Sequence, residues 1–362
     1  EYEVTGYERA ASTPEGGLDT EFLYVENADE VLLEQAKGKI VLVNGYLNRA
    51  TYEKLRKAEA AAILTFTGRT IDRESESDLN RCKLRETLTE PFGAVPVLNM
   101  RAASAAEIVR RGAKTVHIEL TGECYDGTSQ NVCATIPGTD KPSEVITLGG
   151  HYDSVYFSSG VHDNLSGSVI VLELLRYFAA HPPRRTLRFC WFGSEEQGLL
   201  GSKAYVKAHA DELKDCVAML NFDVAAPTLG SNHLVTLATD DALHYVAGVL
   251  REAGYGVRAK QDTYSCLVKS DIYSSDCIPF ADNGVPAINL ARFGANGADY
   301  MHNRHDSLKS GYLDEHALDI TLQQGFVLLA RLANAASFPI KREIAPEIRQ
   351  KVDEYLFKAK KE

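Results

Sequence analysis

Residues 144–192, EVITLGGHYDSVYFSSGVHDNLSGSVIVLELLRYFAAHPPRRTLRFCWF, contain the clearest fold signal of this chain. The apolar, β-branched segments 144–150 and 185–192 favour buried strands, and the apolar positions of 166–181 favour a helix between them. A strand, a helix and a second strand in succession form a βαβ unit, in which the two strands run parallel. The segment therefore predicts a parallel sheet that is covered by helices.

The same alternation continues toward the C-terminus. Further strands are predicted for VAMLNF, HLVTLAT and PAINLAR, and further helices for 199–210, 241–254, 313–337 and 345–362. Alternating strands and helices are typical of a mostly parallel or mixed central sheet with helices on both faces. The predicted fold class is therefore α/β.

Residues 1–127 are predicted to form a separate, smaller module of α/β or β-rich type. In it, GKIVLVNGYL and AILTFTG favour strands, and ATYEKLRKAEAAA between them favours a helix. The polar segment 69–91 is expected to be an exposed loop or an irregular helix. A crossing rich in Gly, Thr, Ser and Asp over 122–144 leads to the next module, so the predicted domains are 1–127 and 128–362.

The composition is that of a folded, acidic protein. Hydrophobic residues make up 44% of the 362 residues and charged residues 25%, which argues against general disorder. The formal charge of −11 and the lack of dense Lys/Arg runs exclude nucleic acid as an expected partner, because phosphate binding needs cationic side chains. No apolar run reaches the roughly 18 residues of a membrane span.

The seven cysteines are an odd number without CxxC spacing, so neither a zinc ribbon nor a dense disulfide framework is indicated. Cys133 and Cys190 lie in apolar, strand-like runs, where we expect buried thiols. Because the first residue is Glu1 rather than Met, we expect that the natural N-terminus is missing. A signal peptide could have been removed with it, so a secreted and a cytoplasmic protein are both open, as is the oligomeric state.

Four predicted strands are followed by histidine or carboxylate residues, namely His151, the pair Glu195 and Glu196, Asp223, and His302. In open α/β sheets, ligands bind at the carboxyl ends of the strands. These side chains are therefore expected to converge on one spot. Imidazole nitrogen and carboxylate oxygen are suitable ligands for a divalent metal such as zinc.

Local spacing adds detail to this expectation. Asp153 lies two residues after His151, which lets its carboxylate reach the second imidazole nitrogen. Asp163 precedes a predicted helix and could instead form an Asx turn or a helix N-cap. Adjacent Glu195 and Glu196 at the end of a buried strand repel each other unless a cation or a proton is present, although a solvated helix start is the simpler alternative.

The stretch from His151 to Ser307 resembles the M28 family of metallopeptidases, the aminopeptidases similar to bacterial leucyl aminopeptidase. The motifs that carry the resemblance, in the family's order, are HYDSV, DNLSG, SEEQGLLGS, NFDVA, SDCIPF, GVPAINL and HNRHDS. The N-terminal module resembles the protease-associated domain that many members carry as an insertion. The chain departs from the family at Cys277, where SDC replaces SDH, and at Asn303, where HN replaces HT.

The resemblance implies two zinc ions per chain, for which Co²⁺ or Mn²⁺ can substitute. It implies that His151 and Asp223 bind one zinc and that Glu196 and His302 bind the other. Asp163 would bridge the two ions.

The resemblance also implies catalytic roles. Glu195 would be the general base and Asp153 the partner of His151. Tyr273 lies about one residue from the place of a tyrosine that polarises the substrate carbonyl in some members. The peptide bond after the bridging aspartate is often cis in the family, which would be the bond from Asp163 to Asn164.

The predicted activity is hydrolysis of the N-terminal peptide bond of peptides with a free N-terminus. An apolar first residue is expected, because CIPF at 277–280 could line a pocket. A glutaminyl-cyclase-like acyltransferase with a single zinc is one alternative, and a carboxypeptidase in which Arg292 or Arg304 meets the terminal carboxylate is another. A non-catalytic binding ectodomain is disfavoured, because all five ligands and the base are present.

Overall fold

The computed structural model describes residues 1–45, 47–73, 79, 82–156, 158–258, 266–294, 297, 301–311 and 313–358. These residues divide into two compact units, Glu1–Gly127 and Thr128–Glu362. Each unit has its own sheet and its own hydrophobic clusters.

The described residues of the first unit form a six-stranded sheet with helices. Its strands are β1 (Val4–Gly6), β2 (Leu18–Tyr24), β3 (Ile40–Leu42), β4 (Ala62–Thr67), β5 (Val97–Arg101) and β6 (Thr115–Ile118). Its helices are α1 (Glu30–Leu33), α2 (Arg49–Lys57), α3 (Glu86–Phe92) and α4 (Ala102–Arg110). The order is β1-β5-β4-β3-β2-β6, with parallel pairs from β2 to β5 and antiparallel β1 and β6 at the edges.

Most predicted elements of this unit are present, with different ends. The helix predicted over 50–62 ends at Lys57, and the strand that follows begins at Ala62. Asn48 starts this helix, because its side chain accepts a hydrogen bond from the Thr51 amide. In the segment predicted as a loop or irregular helix, α3 covers Glu86–Phe92, while 74–78, 80 and 81 lie outside the described residues.

The second unit contains a larger mixed sheet. Its strands are β7 (Val132–Ile136), β8 (Lys141–His151), β9 (Arg185–Phe192), β10 (Cys216–Phe222), β11 (Gly230–Leu237), β12 (Val257–Arg258), β13 (Cys266–Ser270) and β14 (Ala287–Gly294). Its helices are α5 (Ser166–Ala180), α6 (Leu200–Ala208), α7 (Asp240–Glu252), α8 (Cys277–Asp282), α9 (Glu315–Asn334) and α10 (Pro346–Tyr355). Short helical turns cover Val161–Leu165, Leu213–Asp215 and Leu308–Ser310.

The strand order of this sheet is β12-β13-β11-β14-β10-β8-β9-β7. The four central strands β14, β10, β8 and β9 are parallel, whereas β11 is antiparallel to β14 and β7 is antiparallel to β9. The four parallel strands therefore end at the same edge of the sheet, and this edge carries the candidate site.

Both faces of the sheet are covered, as the alternation of side chains along each strand shows. In β9, Leu187 and Phe189 join a hydrophobic cluster with α5, α7 and α9, whereas Cys190 and Phe192 join a cluster with α6, α8 and α10. The predicted α/β class, with a mixed sheet between two layers of helices, is confirmed. Among the described helices, none combines the length and apolar character needed to cross a lipid bilayer.

Two predictions for the start of this unit are wrong. The segment predicted as a crossing contains β7 and the beginning of β8. β7 lies at the edge of the sheet, where its side chains are only partly covered, and Val132 is 53% exposed. For the same reason Cys133 is exposed rather than buried, while Cys190 is buried as expected.

Candidate metal centre

The predicted ligands lie at the common carboxyl edge of the parallel strands. His151 is the last residue of β8, and Asp223 directly follows β10. Glu195 and Glu196 follow β9 by three and four residues, and His302 follows β14. Since β8, β9 and β10 are neighbours, their ends deliver these side chains to one place.

The structure brings all five predicted ligands together in two groups that share Asp163. In the first group, His151 Nε2 lies 3.0 Å from Asp163 Oδ1 and 3.4 Å from Asp223 Oδ1. In the second, His302 Nε2 lies 3.1 Å from Asp163 Oδ2 and 3.1 Å from Glu196 Oε2. The ligand atoms of each group lie within 4.8 Å of one another. One oxygen of Asp163 thus faces each histidine.

The centre contains buried oxygen atoms that need a cation. Glu196 Oε1 is buried without a hydrogen-bond partner among the described residues, and Asp223 Oδ1 has only the ion-pair contact with His151. Burying an unsatisfied carboxylate oxygen is costly in free energy. A divalent cation in each group would compensate the charge of these oxygens, and two histidines with three carboxylates are a suitable set of donors for zinc.

The carboxylates of the centre favour the protonated, positively charged form of both histidines. Burial opposes protonation of His302, but hydrogen bonds to Asp163 and Glu196 raise its pKa to about 11. Burial likewise opposes charge on His151, and hydrogen bonds to Asp153, Asp163 and Asp223 raise its pKa well above the usual value. Burial favours a neutral Asp163, yet hydrogen bonds with both imidazoles lower its pKa. Protons and a metal ion would therefore compete for the imidazoles of His151 and His302.

Glu195 lies next to the centre and outside both groups of ligands. Burial raises the pKa of its carboxyl well above the usual value. The positive charge of His151 opposes this shift, while the negative charges of Asp276, Asp223 and Glu196 add to it. A buried carboxyl with a raised pKa beside a candidate metal centre is suited to accept a proton during catalysis.

Asp153 holds the segment that follows β9. Its Oδ1 accepts a hydrogen bond from the Glu195 amide at 3.0 Å, and its Oδ2 accepts one from the Glu196 amide at 3.2 Å. His151 Nδ1 lies 3.0 Å from the Asp153 backbone oxygen and 3.5 Å from its carboxylate. The aspartate therefore orients both glutamates as well as the histidine.

Asp306 holds the loop that carries Asp163 through hydrogen bonds to backbone amides. Its Oδ1 accepts a hydrogen bond from the His162 amide at 2.6 Å, and its Oδ2 accepts one from the Asp163 amide at 3.0 Å. Asp306 is fully buried and more than 140 positions away in sequence. Asp306 lies in the HNRHDS motif, but its role was not predicted, because no local sequence pattern reveals a bond between a side chain and a distant backbone amide.

The loop before α5 is also tied to β10. Asn164 donates through Nδ2 to the Phe222 backbone oxygen at 2.8 Å and accepts at Oδ1 from the amides of Gly167 and Val224. The peptide bond from Asp163 to Asn164 is cis, as expected. Asn164 thereby fixes Asp163 relative to the end of β10, where Asp223 lies.

Three non-glycine residues at or beside the candidate ligands have a left-handed backbone. Ser194, Val224 and His302 have φ of 57°, 57° and 59°, in the left-handed region that non-glycine residues rarely adopt. Ser194 precedes Glu195, Val224 follows Asp223, and His302 is itself a candidate ligand. Strained backbone at a site costs stability and persists where the surrounding structure enforces a geometry that function needs.

Comparison with known proteins agrees with this geometry. The sequence profile of peptidase family M28 matches residues 131–323, which is more than half of the chain. The chain belongs to peptidase family M28.

Curated relatives of this M28 chain include bacterial peptidases. It is 28% identical over 322 residues to aminopeptidase YwaD of Bacillus subtilis (strain 168), covering 86% of this chain and 65% of the relative. It is 36% identical over 196 residues to leupeptin-inactivating enzyme 1 of Streptomyces exfoliatus, covering 53% of this chain and 41% of the relative. The chain thus spans less than two thirds of the length of both relatives.

A solved structure extends the likeness of the fold to both units. The structure of BSAP, described as a zinc aminopeptidase from Bacillus subtilis, matches with a TM-score of 0.75 at 21% identity. The match covers 96% of this chain and 83% of that one. At this identity the likeness establishes the fold of the M28 chain.

Two further residues of the M28 chain face the centre. Burial raises the pKa of the Tyr273 phenol well above the usual value, and the charges of Asp223 and Asp163 add to it, which places the phenol near both carboxylates. Burial also raises the pKa of Asp276 to about 7, against the charge of His151. Sequence reasoning singled out Tyr273 and missed Asp276, whose only signal was its place in the SDC motif.

Proposed function

We propose that this chain is a zinc-dependent aminopeptidase that holds two zinc ions. The observation that carries the proposal is Asp163, which directs one carboxylate oxygen to each of His151 and His302. A carboxylate in this arrangement would bridge two cations, with Asp223 completing one group and Glu196 the other. Relatives named aminopeptidase support the peptidase activity.

Bound zinc ions would supply Lewis acidity that lowers the pKa of a water molecule and stabilises negative charge on the carbonyl oxygen. Glu195 would take the proton from that water and pass it to the leaving amine. The raised pKa of Glu195, caused by burial, favours uptake of the proton from water. Tyr273 would donate a hydrogen bond to the substrate carbonyl.

Peptides with a free N-terminus are the proposed substrates. An α-ammonium group would be held by the negative charge of this carboxylate-rich centre. Within CIPF, Cys277, Ile278 and Phe280 are fully buried in the core and expose no surface to a substrate, whereas Pro279 lines a cavity. The exposed apolar residues Tyr152 and Leu165, which directly follow His151 and Asn164 in the sequence, are further candidates for contact with an apolar first residue.

Two alternatives can be weighed against the structure. A carboxypeptidase needs a cation for the terminal carboxylate. Arg292 is buried and donates to the Asn232 side chain and the Pro227 backbone oxygen, which leaves exposed Arg304 as the candidate for that role. A single-zinc acyltransferase would use one group of ligands, whereas two groups are present here, which favours the two-zinc peptidase over the acyltransferase.

The test combines metal content with substrate choice. The purified chain should contain two zinc ions and cleave aminoacyl p-nitroanilides, lose this activity with a chelator and regain it with zinc. Peptides with an acetylated N-terminus should not be cleaved, whereas peptides with a blocked C-terminus should be. One zinc per chain, or cleavage that needs a free C-terminus, would contradict the proposal.

A further inference from the structure

Two cysteines lie opposite each other at the edge of the second sheet, outside the metal centre. Cys133 of β7 and Cys190 of β9 are direct partners in the antiparallel register. Their Sγ atoms lie 3.5 Å apart. Directly opposed residues of antiparallel strands have Cα atoms about 4.5 or 5.5 Å apart, and both values are within the range of about 4.4–6.8 Å found for disulfides. The backbone therefore already has the spacing that a disulfide requires.

The two thiols differ in a way that assigns their roles. Cys133 is exposed to solvent, whereas Cys190 is buried. The hydrogen bond with Cys190 lowers the pKa of Cys133 to about 7, partial burial opposes this, and the charges of His209 and Arg188 assist it. The pKa of Cys190 is raised well above its usual value by the same hydrogen bond and by burial. Cys133 is thus accessible and partly a thiolate at neutral pH, which is the reactive form.

We propose that Cys133 and Cys190 form a reversible disulfide, in which Cys133 reacts first with a low-molecular-weight disulfide such as glutathione disulfide. The thiolate of Cys133 attacks one sulfur of glutathione disulfide, forms a mixed disulfide and releases one glutathione thiolate. The Cys190 thiol then loses its proton to solvent and attacks Cys133 Sγ, which releases the second glutathione. In sum, the two cysteines lose two electrons and two protons, and one glutathione disulfide becomes two glutathione thiols.

The new bond would fix a segment that supports the proposed catalytic loops. Two residues before Cys133, Asn131 accepts a hydrogen bond from the Gly193 amide and donates to the Gly201 backbone oxygen. The neighbouring Gln130 accepts a hydrogen bond from the Tyr152 hydroxyl. These bonds connect the start of β7 to the segments that follow β8 and β9. Oxidation would therefore stiffen an edge strand that is held at present by backbone pairing and these side-chain bonds.

The first experiment follows the full-length chain by mass. Exposed Cys124 and partly exposed Cys82 would also react, so a background with Cys82→Ser and Cys124→Ser is used. After incubation with glutathione disulfide, we expect a loss of two hydrogens per chain and a linked pair of peptides that contain Cys133 and Cys190. Dithiothreitol should restore the mass, and iodoacetamide added after unfolding in denaturant should label both cysteines only in the reduced sample.

Single variants separate the two steps. Cys190→Ser should stop at a stable glutathione adduct on Cys133, whereas Cys133→Ser should show at least a tenfold slower reaction. Cys266→Ser removes a buried cysteine elsewhere in the sheet and should oxidise like the background. A lasting glutathione adduct in the background protein, or equal rates with and without Cys133, would overturn the proposal. Because the mass and labelling experiments on the background protein leave Cys190 in place, they remain decisive if Cys190→Ser does not fold.

The rate should also depend on pH in a defined direction. Adduct formation by Cys190→Ser should increase as the pH rises and Cys133 becomes a thiolate. The charged and titratable groups around the pair are Arg188 on β9, Tyr205 on α6, and His209 and Glu212 beyond α6. Arg188→Gln removes one of the two nearby positive charges and should shift the rate profile to higher pH. An unchanged profile would contradict this electrostatic assistance.

Discussion

At the scale of single residues, substitution can separate the proposed catalytic role of Glu195 from metal binding by the ligands around it. The amide of Glu195→Gln cannot accept a proton from water, but it leaves both groups of ligands unchanged. We expect kcat to fall by about 10²–10⁴-fold, the contribution typical of general acid–base catalysis, with zinc content unchanged. Assays of p-nitroanilide cleavage and metal analysis measure the two quantities.

Glu173→Gln is the matched control. The Glu173 side chain is 39% exposed on α5 and forms an ion pair with Arg176. Its kcat should equal that of the unaltered chain. If Glu195→Gln kept full activity, or lost zinc together with activity, Glu195 would not be the base.

The two aspartates that hold backbone amides should affect metal binding without contacting the metal. Asp306→Asn replaces one acceptor oxygen by a donor that faces the amides of His162 and Asp163. Zinc affinity or activity should fall by about 10–100-fold, as is typical when a group that orients a ligand is lost. Equilibrium dialysis against a zinc chelator measures the affinity, and an unchanged affinity would show that Asp306 has no positioning role.

Protons and zinc should compete for the same histidines. The pKa of about 11 for His302 means that the metal-free site carries a proton there throughout the neutral range. Zinc needs the neutral imidazole, so its binding must release protons and its apparent affinity must increase with pH. Calorimetry in buffers of different ionisation enthalpy counts the protons, and we expect release rather than uptake. A zinc affinity that falls as the pH rises from about 6 to 8 would contradict the protonation of His302.

At the scale of elements, the ends of β8, β9 and β10 position the centre, and glycines allow the close approach of their loops. A Cβ at Gly201 would overlap the Gly193 backbone oxygen and would lie 2.5 Å from Asn131 Oδ1. Gly201→Ala should therefore displace the segment with Glu195 and Glu196, destabilise the protein and reduce zinc occupancy. Urea unfolding and metal analysis measure both effects.

Gly248→Ala is the control in another helix. Gly248 lies within α7, and a Cβ there would meet no atom within 4 Å. Alanine in a helix interior is favoured over glycine by roughly 0.5–1 kcal/mol, so this variant should be slightly more stable, with zinc content unchanged. If both variants behaved alike, the contact at Gly201 would not constrain the loop.

The sequence predicted the central elements better than the edges. β9 was predicted with its observed limits, since a strand buried on both faces has a continuous apolar run. The short apolar run of β7 lies within a segment whose Gly, Thr, Ser and Asp content favours a crossing, and β13 was missed in a segment of mixed polarity. The candidate ligands could be located because they directly follow predictable strands, whereas the roles of Asp153 and Asp306 toward distant amides required three-dimensional distances. That the five ligands bind zinc stays a prediction.

At the scale of the whole molecule, metal binding should contribute to stability. Mutually repelling carboxylates lie buried at the centre, and zinc would bind the folded chain, because only there are the candidate ligands assembled. With free zinc at about 1,000 times Kd, the stabilisation would reach about 4 kcal/mol for one site. Thermal unfolding with excess zinc should therefore occur at a higher Tm than with a chelator. Equal Tm values in the two conditions would show that the folded site does not bind the ion.

The distribution of the ligands along the chain has a consequence for biosynthesis. His151 closes an early strand of the second unit, whereas His302 follows its last strand. A nascent polypeptide on the ribosome cannot assemble the complete centre until His302, the last of the five candidate ligands in the sequence, has emerged. Any activity of the proposed centre would then be acquired only after all four central parallel strands have been synthesised.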